Sequence, residues 1–211
     1  MMNAAGADEK VLDSYRRWGH LEAQLDPLGR LLAEPHPDLS RDPGSETARR
    51  WYCGSIAVEF MHIADPRKRL WLQERMETDA PKLSDTAQLA LLERLLRVET
   101  FEQVLQSRYT GNKRFSLEGI AALVPLLDEM IETSAERGLE QCVLAMSHRG
   151  RLNVMTHIVG KAPEEIFAGF EDADPRSVLG SGDVKYHLGA TGEFATRSGK
   201  VVKLHLADRK N

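Results

Sequence analysis

A chain of 211 residues has room for one domain or two small ones, and it is long enough to bury a core. With 42% hydrophobic and 28% charged residues it has the composition of a soluble globular protein, and a formal charge of −4 offers no basic face to nucleic acid. No run approaches the ~20 apolar residues of a membrane span, and the polar start, Met1 to Lys10, lacks the apolar segment of a signal peptide. For a bacterial source the expected location is therefore cytoplasmic. Cys53 and Cys142 lie far apart in apolar company and read as buried, reduced thiols rather than as a disulfide or metal pair.

In chain order, residues 1–10 read as a disordered tail. Val11 to Ala23 predicts a short helix that stops before Leu25-Asp26-Pro27-Leu28-Gly29. Prolines 35, 37 and 43, with Gly44 and many charges, mark a linker near 34–45. Asp65 as N-cap with Pro66 at the first helical position starts a helix that runs to about Glu77. His62, beside an apolar run, reads as a satisfied structural histidine. Ser84 or Asp85 caps the next helix, with Gln88 at capping-box spacing from Asp85. Its Leu89, Leu92, Leu95 and Leu96 form one stripe, continued by Phe101, Val104 and Leu105, which suits a core or a partner-helix face. Tyr109 to Lys113 breaks that helix. Arg114-Phe115-Ser116-Leu117-Glu118 leads into another, carrying Ile120, Leu123, Val124, Leu127, Met130 and Ile131 and ended by Gly138 at C′. Residues 11–112 thus form a helical region, and an α/β domain begins at 113.

Gln141 to Met146 is short and apolar, with the length of a buried parallel strand. It stops at Ser147. His148-Arg149-Gly150-Arg151 then sets an imidazole and two guanidinium groups around one glycine, and Leu152, Met155, Ile158 and Val159 mark a helix face. Strand, polar turn and helix make the front half of a βαβ unit, where ligands bind beyond the carboxyl ends of the strands. A second helix follows to about Glu171, with Pro163 in its first turn and Glu164 and Glu165 at the positive end of its dipole. Residues 172–182 read as loop, 184–187 as a short strand leading to His187, 189–199 as turn-rich, and 201–206 as a strand. Metal-ligand spacing, a P-loop and a Gly-x-Gly-x-x-Gly turn are all lacking, and Ser147 beside His148 does not make a triad.

Three blocks carry more than their periodicity. Lys113-Arg114-Phe115-Ser116-Leu117-Glu118-Gly119, Met146-Ser147-His148-Arg149-Gly150-Arg151-Leu152-Asn153 and Gly182-Asp183-Val184-Lys185-Tyr186-His187-Leu188-Gly189 resemble, in order and spacing, the E1 component of 2-oxoglutarate dehydrogenase. Tyr15 to Gly29 and Trp51 to Ile63 are similar to earlier segments of that family. The resemblance runs from about Ser14 nearly to the end and covers only the front part of the family's chain, so an N-terminal fragment is expected. It implies an α/β fold: a helical N-terminal region, then the start of a thiamine diphosphate-binding parallel sheet, truncated. The family's Asn-Pro-Ser-His-Leu-Glu segment, due near the end, is absent.

What the resemblance implies for function is specific. The reaction is oxidative decarboxylation of 2-oxoglutarate with succinyl transfer to the lipoyl group of E2. Thiamine diphosphate is the electron sink, so the protein supplies positioning and proton traffic. His148 and His187 are implied as catalytic and substrate-binding residues beside the thiazolium, a role suited to groups that titrate near neutral pH. Arg149 is implied to face the diphosphate, for which a planar fork is suited. Gly150 is expected to let the turn approach a ligand closely. Arg151 stays open between ligand and a carboxylate inside the fold, and Lys113, Glu118, Asp183 and Lys185 read as structural. Mg²⁺ ligands are expected downstream of this chain. The complete protein is expected to be a homodimer that meets a lipoylated E2. The fragment alone is expected to be inactive and to expose an unpaired strand edge at 201–206. Alternatives are a 2-oxoadipate E1, one methylene longer in substrate, and a non-catalytic helical binding module.

Overall fold

A computed structural model describes residues 9–39, 41, 43–78, 82–171 and 187–208. The chain divides into two compact units between Lys82 and Leu83. No described helix is long and apolar enough to cross a membrane.

Among the described residues of the first unit every regular element is a helix, and irregular segments join them. α1 spans Glu9–Trp18, so residues 9 and 10 belong to a helix rather than to the expected tail; residues 1–8 lie outside the description. A 3₁₀ turn follows at Gly19–Glu22, and Gly19 lies against Tyr52, where a Cβ would strike the tyrosine's own. α2 (Glu46–Tyr52) packs on α1, and Leu12, Tyr15, Ala48, Tyr52, Cys53 and Phe60 form the core. α3 (Pro66–Met76) starts as expected: the Asp65 carboxylate accepts from the Arg67 N–H at 2.9 Å, with Pro66 at the first position. His62 is exposed, contrary to its expected structural role.

Buried charge stitches this unit. Glu22, 6% exposed, accepts from the His36 N–H at 2.6 Å and from the Arg49 and Arg41 guanidinium groups at 2.9 and 3.2 Å. Burial works against its charge, but these donors hold its carboxyl below the usual range. Cys53 is a free, buried thiol bonded to the Gly19 carbonyl.

The second unit opens with α4 (Asp85–Arg108), capped by Ser84, whose hydroxyl accepts from the Ala87 N–H at 3.2 Å. Only its second half is buried, through Val98, Phe101, Glu102 and Leu105. Leu89, Leu92 and Leu96 of the expected core stripe are 66%, 51% and 56% exposed. α4 belongs to this unit, so the boundary read at 112/113 falls inside it. The helix expected after Arg114 to Glu118, with Ile120 as its first apolar residue, begins at Leu123 and ends at Glu136 (α5), with Gly138 in the left-handed region beyond it. Residues 113–117 are irregular and 118–122 hold turns instead, with Phe115 at a φ of 47° and Gly119 at 84°, values that no helix accommodates.

β1 (Gln141–Leu144), α6 (Arg151–His157) and α7 (Pro163–Glu171) follow the sequence reading closely. Leu152, Met155, Ile158 and Val159 are all buried. β1 is not the fully buried strand expected: Cys142 and Leu144 face the core, while Val143 is 69% exposed. The loop expected at 172–182 lies outside the described residues, as does the strand expected at 184–187 except for His187, which is a turn residue.

The turn-rich segment expected at 189–199 contains a strand, β2 (Ala190–Ala195), which pairs antiparallel with β3 (Val201–Leu206). β1 pairs parallel with β3, in the register Cys142 to Leu204, and the sheet order is β1-β3-β2. The sheet is therefore mixed rather than parallel. β3 is its central strand, not the expected free edge; among the described residues the edges are β1 and β2. Val202, Leu204 and Leu206 point from β3 into a core shared with α4, α5 and α6.

Candidate functional site

β1 and β3 run the same way, so Leu144 and Leu206 end at one edge of the sheet, and antiparallel β2 starts there, Ala190 opposite Leu206. The segment after β1, the segment before β2 and the segment after β3 therefore meet. A crevice of about 370 Å³ lies between the segments that follow β1 and β3, lined by Ala145, Met146, Ser147, Ala207 and Asp208.

Arg151 fastens the three segments together. It is 1% exposed and the largest fully buried side chain. Nη1 donates to the Met146 carbonyl at 3.0 Å, Nε and Nη2 to the Leu188 carbonyl at 3.2 and 2.9 Å, and Nη2 also to the Ala207 carbonyl. Among the described residues its hydrogen bonds go to backbone carbonyls rather than to a carboxylate inside the fold. Burial pushes its pKa down, and only the charge of Asp208 acts the other way. The Asp208 carboxylate in turn accepts from the Gly189 N–H.

This clamp explains where the histidines fall. His148 follows the Met146 end and His187 precedes Leu188, and their rings lie 6.2 Å apart, tilted by 34°. Both are half-buried, and His187 Nε2 is buried without a hydrogen-bond partner among the described residues. Arg149 points outward, and its Nη1 donates to the Ser116 carbonyl at 3.1 Å. Gly150, at a φ of 74°, opens α6. A side chain there would collide with Leu117, so what this glycine accommodates is the fold's own residues 115–117.

Sequence reasoning missed the layer beneath. The Phe115 ring stacks on His148, centroids 3.9 Å apart at 29°. Its carbonyl accepts from the Gly150 N–H at 2.7 Å. Glu102, buried in α4, accepts from the Leu117 N–H at 2.9 Å and from Asn153 Nδ2 at 2.5 Å through one oxygen. The only sequence signal was that Phe115 and Leu117 belong to one block and Asn153 to another. Glu102 sits in an amphipathic helix and carries no local mark. Lys113 and Glu118 are exposed, and Asp183 and Lys185 lie outside the described residues. Among the described residues no group of three His, Cys, Asp or Glu side chains gathers as a metal site requires.

Comparison with known proteins finds relatives over nearly the whole chain. It is 38% identical over 224 residues to a 2-oxoglutarate dehydrogenase E1 component of Brucella ovis, covering 90% of this chain and 22% of that protein. A Brucella canis protein of the same name matches to the same extent. A multifunctional 2-oxoglutarate metabolism enzyme of Mycolicibacterium vanbaalenii is 39% identical over 215 residues, 88% of this chain and 17% of that protein. The chain thus spans about a fifth of the length of these curated relatives. No family model matches it.

Proposed function

We propose that this chain, homologous over 90% of its length to a segment of 2-oxoglutarate dehydrogenase E1 components, forms one wall of a site for thiamine diphosphate-dependent decarboxylation of 2-oxoglutarate. The pair His148 and His187 carries the reading: two imidazoles 6.2 Å apart where the parallel strands end. When bound, thiamine diphosphate supplies the nucleophile and the electron sink.

The residues present suit that neighbour. His187 Nε2 is buried and unpartnered among the described residues, which is costly unless a ligand or water completes it. It is assigned to hold a substrate carboxylate. The His148 imidazole donates a proton to the oxygen on which negative charge develops. Arg149 is bonded by Nη1 to the Ser116 carbonyl, and its remaining N–H groups are proposed to face the diphosphate. The Mg²⁺ ligands are proposed to come from downstream sequence, and the complete protein is proposed to be a homodimer that meets a lipoylated E2.

A chimaera tests the reading: this chain replaces the matching segment of the Brucella ovis protein, and 2-oxoglutarate-dependent reduction of an artificial acceptor is followed. Turnover is expected, and His148→Ala within the chimaera is expected to lower it by roughly 10²–10⁴-fold. A His148→Ala rate within a few-fold of the parent overturns the assignment. The exposed leucines of α4 favour a second reading, a non-catalytic module that docks a helix there. A folded but inactive chimaera, with Leu92→Asp abolishing partner binding by the chain, selects that one.

A further inference from the structure

We propose that Phe115 is a positioning residue that fixes the His148 imidazole, with Glu102 as the buried anchor that holds it in place. The proposal rests on the functional reading above only for what the ring is positioned to do.

The Phe115 backbone is the starting point. A φ of 47° is rare for a bulky residue and persists only where the surroundings over-determine it. Here they do. On one side the Leu117 N–H is fixed by Glu102 Oε1 at 2.9 Å, and the same oxygen takes Asn153 Nδ2 from α6 at 2.5 Å. On the other, the Phe115 carbonyl receives the Gly150 N–H at 2.7 Å and the Ser116 carbonyl receives Arg149 at 3.1 Å. Leu117, fully buried, fills the space left by the missing side chain of Gly150. Every bond of residues 115–117 named here thus ends on the 148–153 turn or on Glu102, which itself holds that turn.

The ring shows what this arrangement produces. Phe115 is only half-buried, so its side chain contributes less to the core than a phenylalanine can. One face stacks on the His148 imidazole, centroids 3.9 Å apart at 29°. A flat ring stacked on the imidazole face resists rotation about the histidine side-chain bonds and leaves the nitrogens, which lie in the ring plane, unobstructed by it. His187 is then met at 6.2 Å by a ring of fixed attitude. The hydrogen bonds of Glu102 named here go to Leu117 and Asn153 rather than to a histidine, so its effect passes through Leu117 and Phe115.

The test uses proton NMR of the whole chain, with the His148 ring protons assigned by their loss in His148→Gln. They are expected upfield of those of an exposed histidine, because they lie over an aromatic face. Phe115→Leu is expected to abolish that displacement and Phe115→Tyr to restore it, with buried methyl shifts unchanged in both. Glu102→Gln, which keeps the accepting oxygen, is expected to retain the displacement and Glu102→Leu to lose it. His148 shifts that are identical in the parent and in Phe115→Leu overturn the proposal. Should Glu102→Leu fail to fold, the Phe115 pair decides alone. In the chimaera, Phe115→Leu is expected to lower kcat by roughly 10- to 10²-fold at nearly constant KM, with rescue by tyrosine. If the ring shift depends on Phe115 while His148→Ala leaves turnover intact, the functional reading fails and the positioning stands.

Discussion

Each unit buries an arginine, and the two are neutralised in opposite ways. Arg16 lies on α1, 8% exposed. Its Nε and Nη2 grip the two oxygens of Glu77 at 2.6 and 2.9 Å, its Nη1 meets Glu9 at 2.5 Å, and Tyr52 donates to the same Glu77. Burial opposes the charge, but two carboxylates outweigh it and raise the pKa. Arg151 has three backbone carbonyls and, among the described residues, no bonded carboxylate, and burial lowers its pKa. The first unit uses a charge to balance a charge. The second uses a guanidinium as a rigid fork that gathers three chain segments, so the shape of the donor set matters more than its sign.

The largest effect separates these two designs. Arg151→Ala leaves three carbonyls without their donor and opens a cavity, and it is expected to cost about 4 kcal/mol. Arg151→Lys keeps the charge but cannot reach all three carbonyls, and about 2 kcal/mol is expected. Amide exchange of β1 and β3 during denaturation is the measurement. A lysine variant as stable as the parent would mean that charge alone suffices at this position.

In the first unit the order inverts. Glu77→Gln preserves the shape of the group that meets Arg16 and Tyr52 yet removes the charge, and is expected to cost about 2 kcal/mol, reduced because Glu9 remains. Trp18, Trp51 and Trp71 are the chain's three tryptophans and all lie in this unit, so their fluorescence reports its unfolding separately. An unchanged tryptophan transition would show that the hydrogen bonds, not the ion pair, hold α1 to the end of α3.

The same contrast governs what could be read from sequence. β1, the 148–151 turn, α6 and α7 were legible because literal motifs, helix periodicity and N-terminal signals agreed there. β2 was not. Thr191-Gly192-Glu193 looks like a turn, but the glycine is there because the Val159 carbonyl approaches so closely that a side chain would strike it. The start of α5 was misplaced because Phe115 and Leu117, just ahead of it, are held by Gly150 and Glu102, which are distant in sequence. Of the site, the two histidines and Arg149 could be named from a motif. Arg151 could not be assigned, since its carbonyl partners belong to three separate segments, and Glu102 and Phe115 act only through tertiary contacts. The leucines of α4 illustrate the reverse failure: a clean stripe states that a face is apolar, not that anything in this chain covers it.

The smallest expected effect is one of pH, and it orders the two units. His157, at the end of α6, meets Phe101 edge-on at 5.7 Å, and its buried Nε2 has no hydrogen-bond partner among the described residues. Burial, then the charges of Arg94 and Arg97 on α4, depress its pKa below the ordinary 6.5. The unfolded chain therefore binds a proton at a higher pH than the folded one. The stability that comes from keeping this ring neutral is complete above about 6.5, falls as the pH drops below that value, and stops changing once the pH is below the folded pKa. Glu22 in the first unit has the opposite linkage. Its depressed carboxyl pKa stabilises the fold above the ordinary value of 4.5, and that contribution is lost only as the pH falls from there through the folded pKa. Between pH 6.5 and 4.5 these two groups predict loosening of the second unit while the first holds. Denaturant midpoints are to be followed over this range by tryptophan fluorescence for the first unit and by amide exchange for the second. His157→Gln should flatten the response of the second unit without altering that of the first. A second unit whose stability stays level or rises on acidification from pH 7 to 5 would show that His157 accepts its proton without penalty in the folded state.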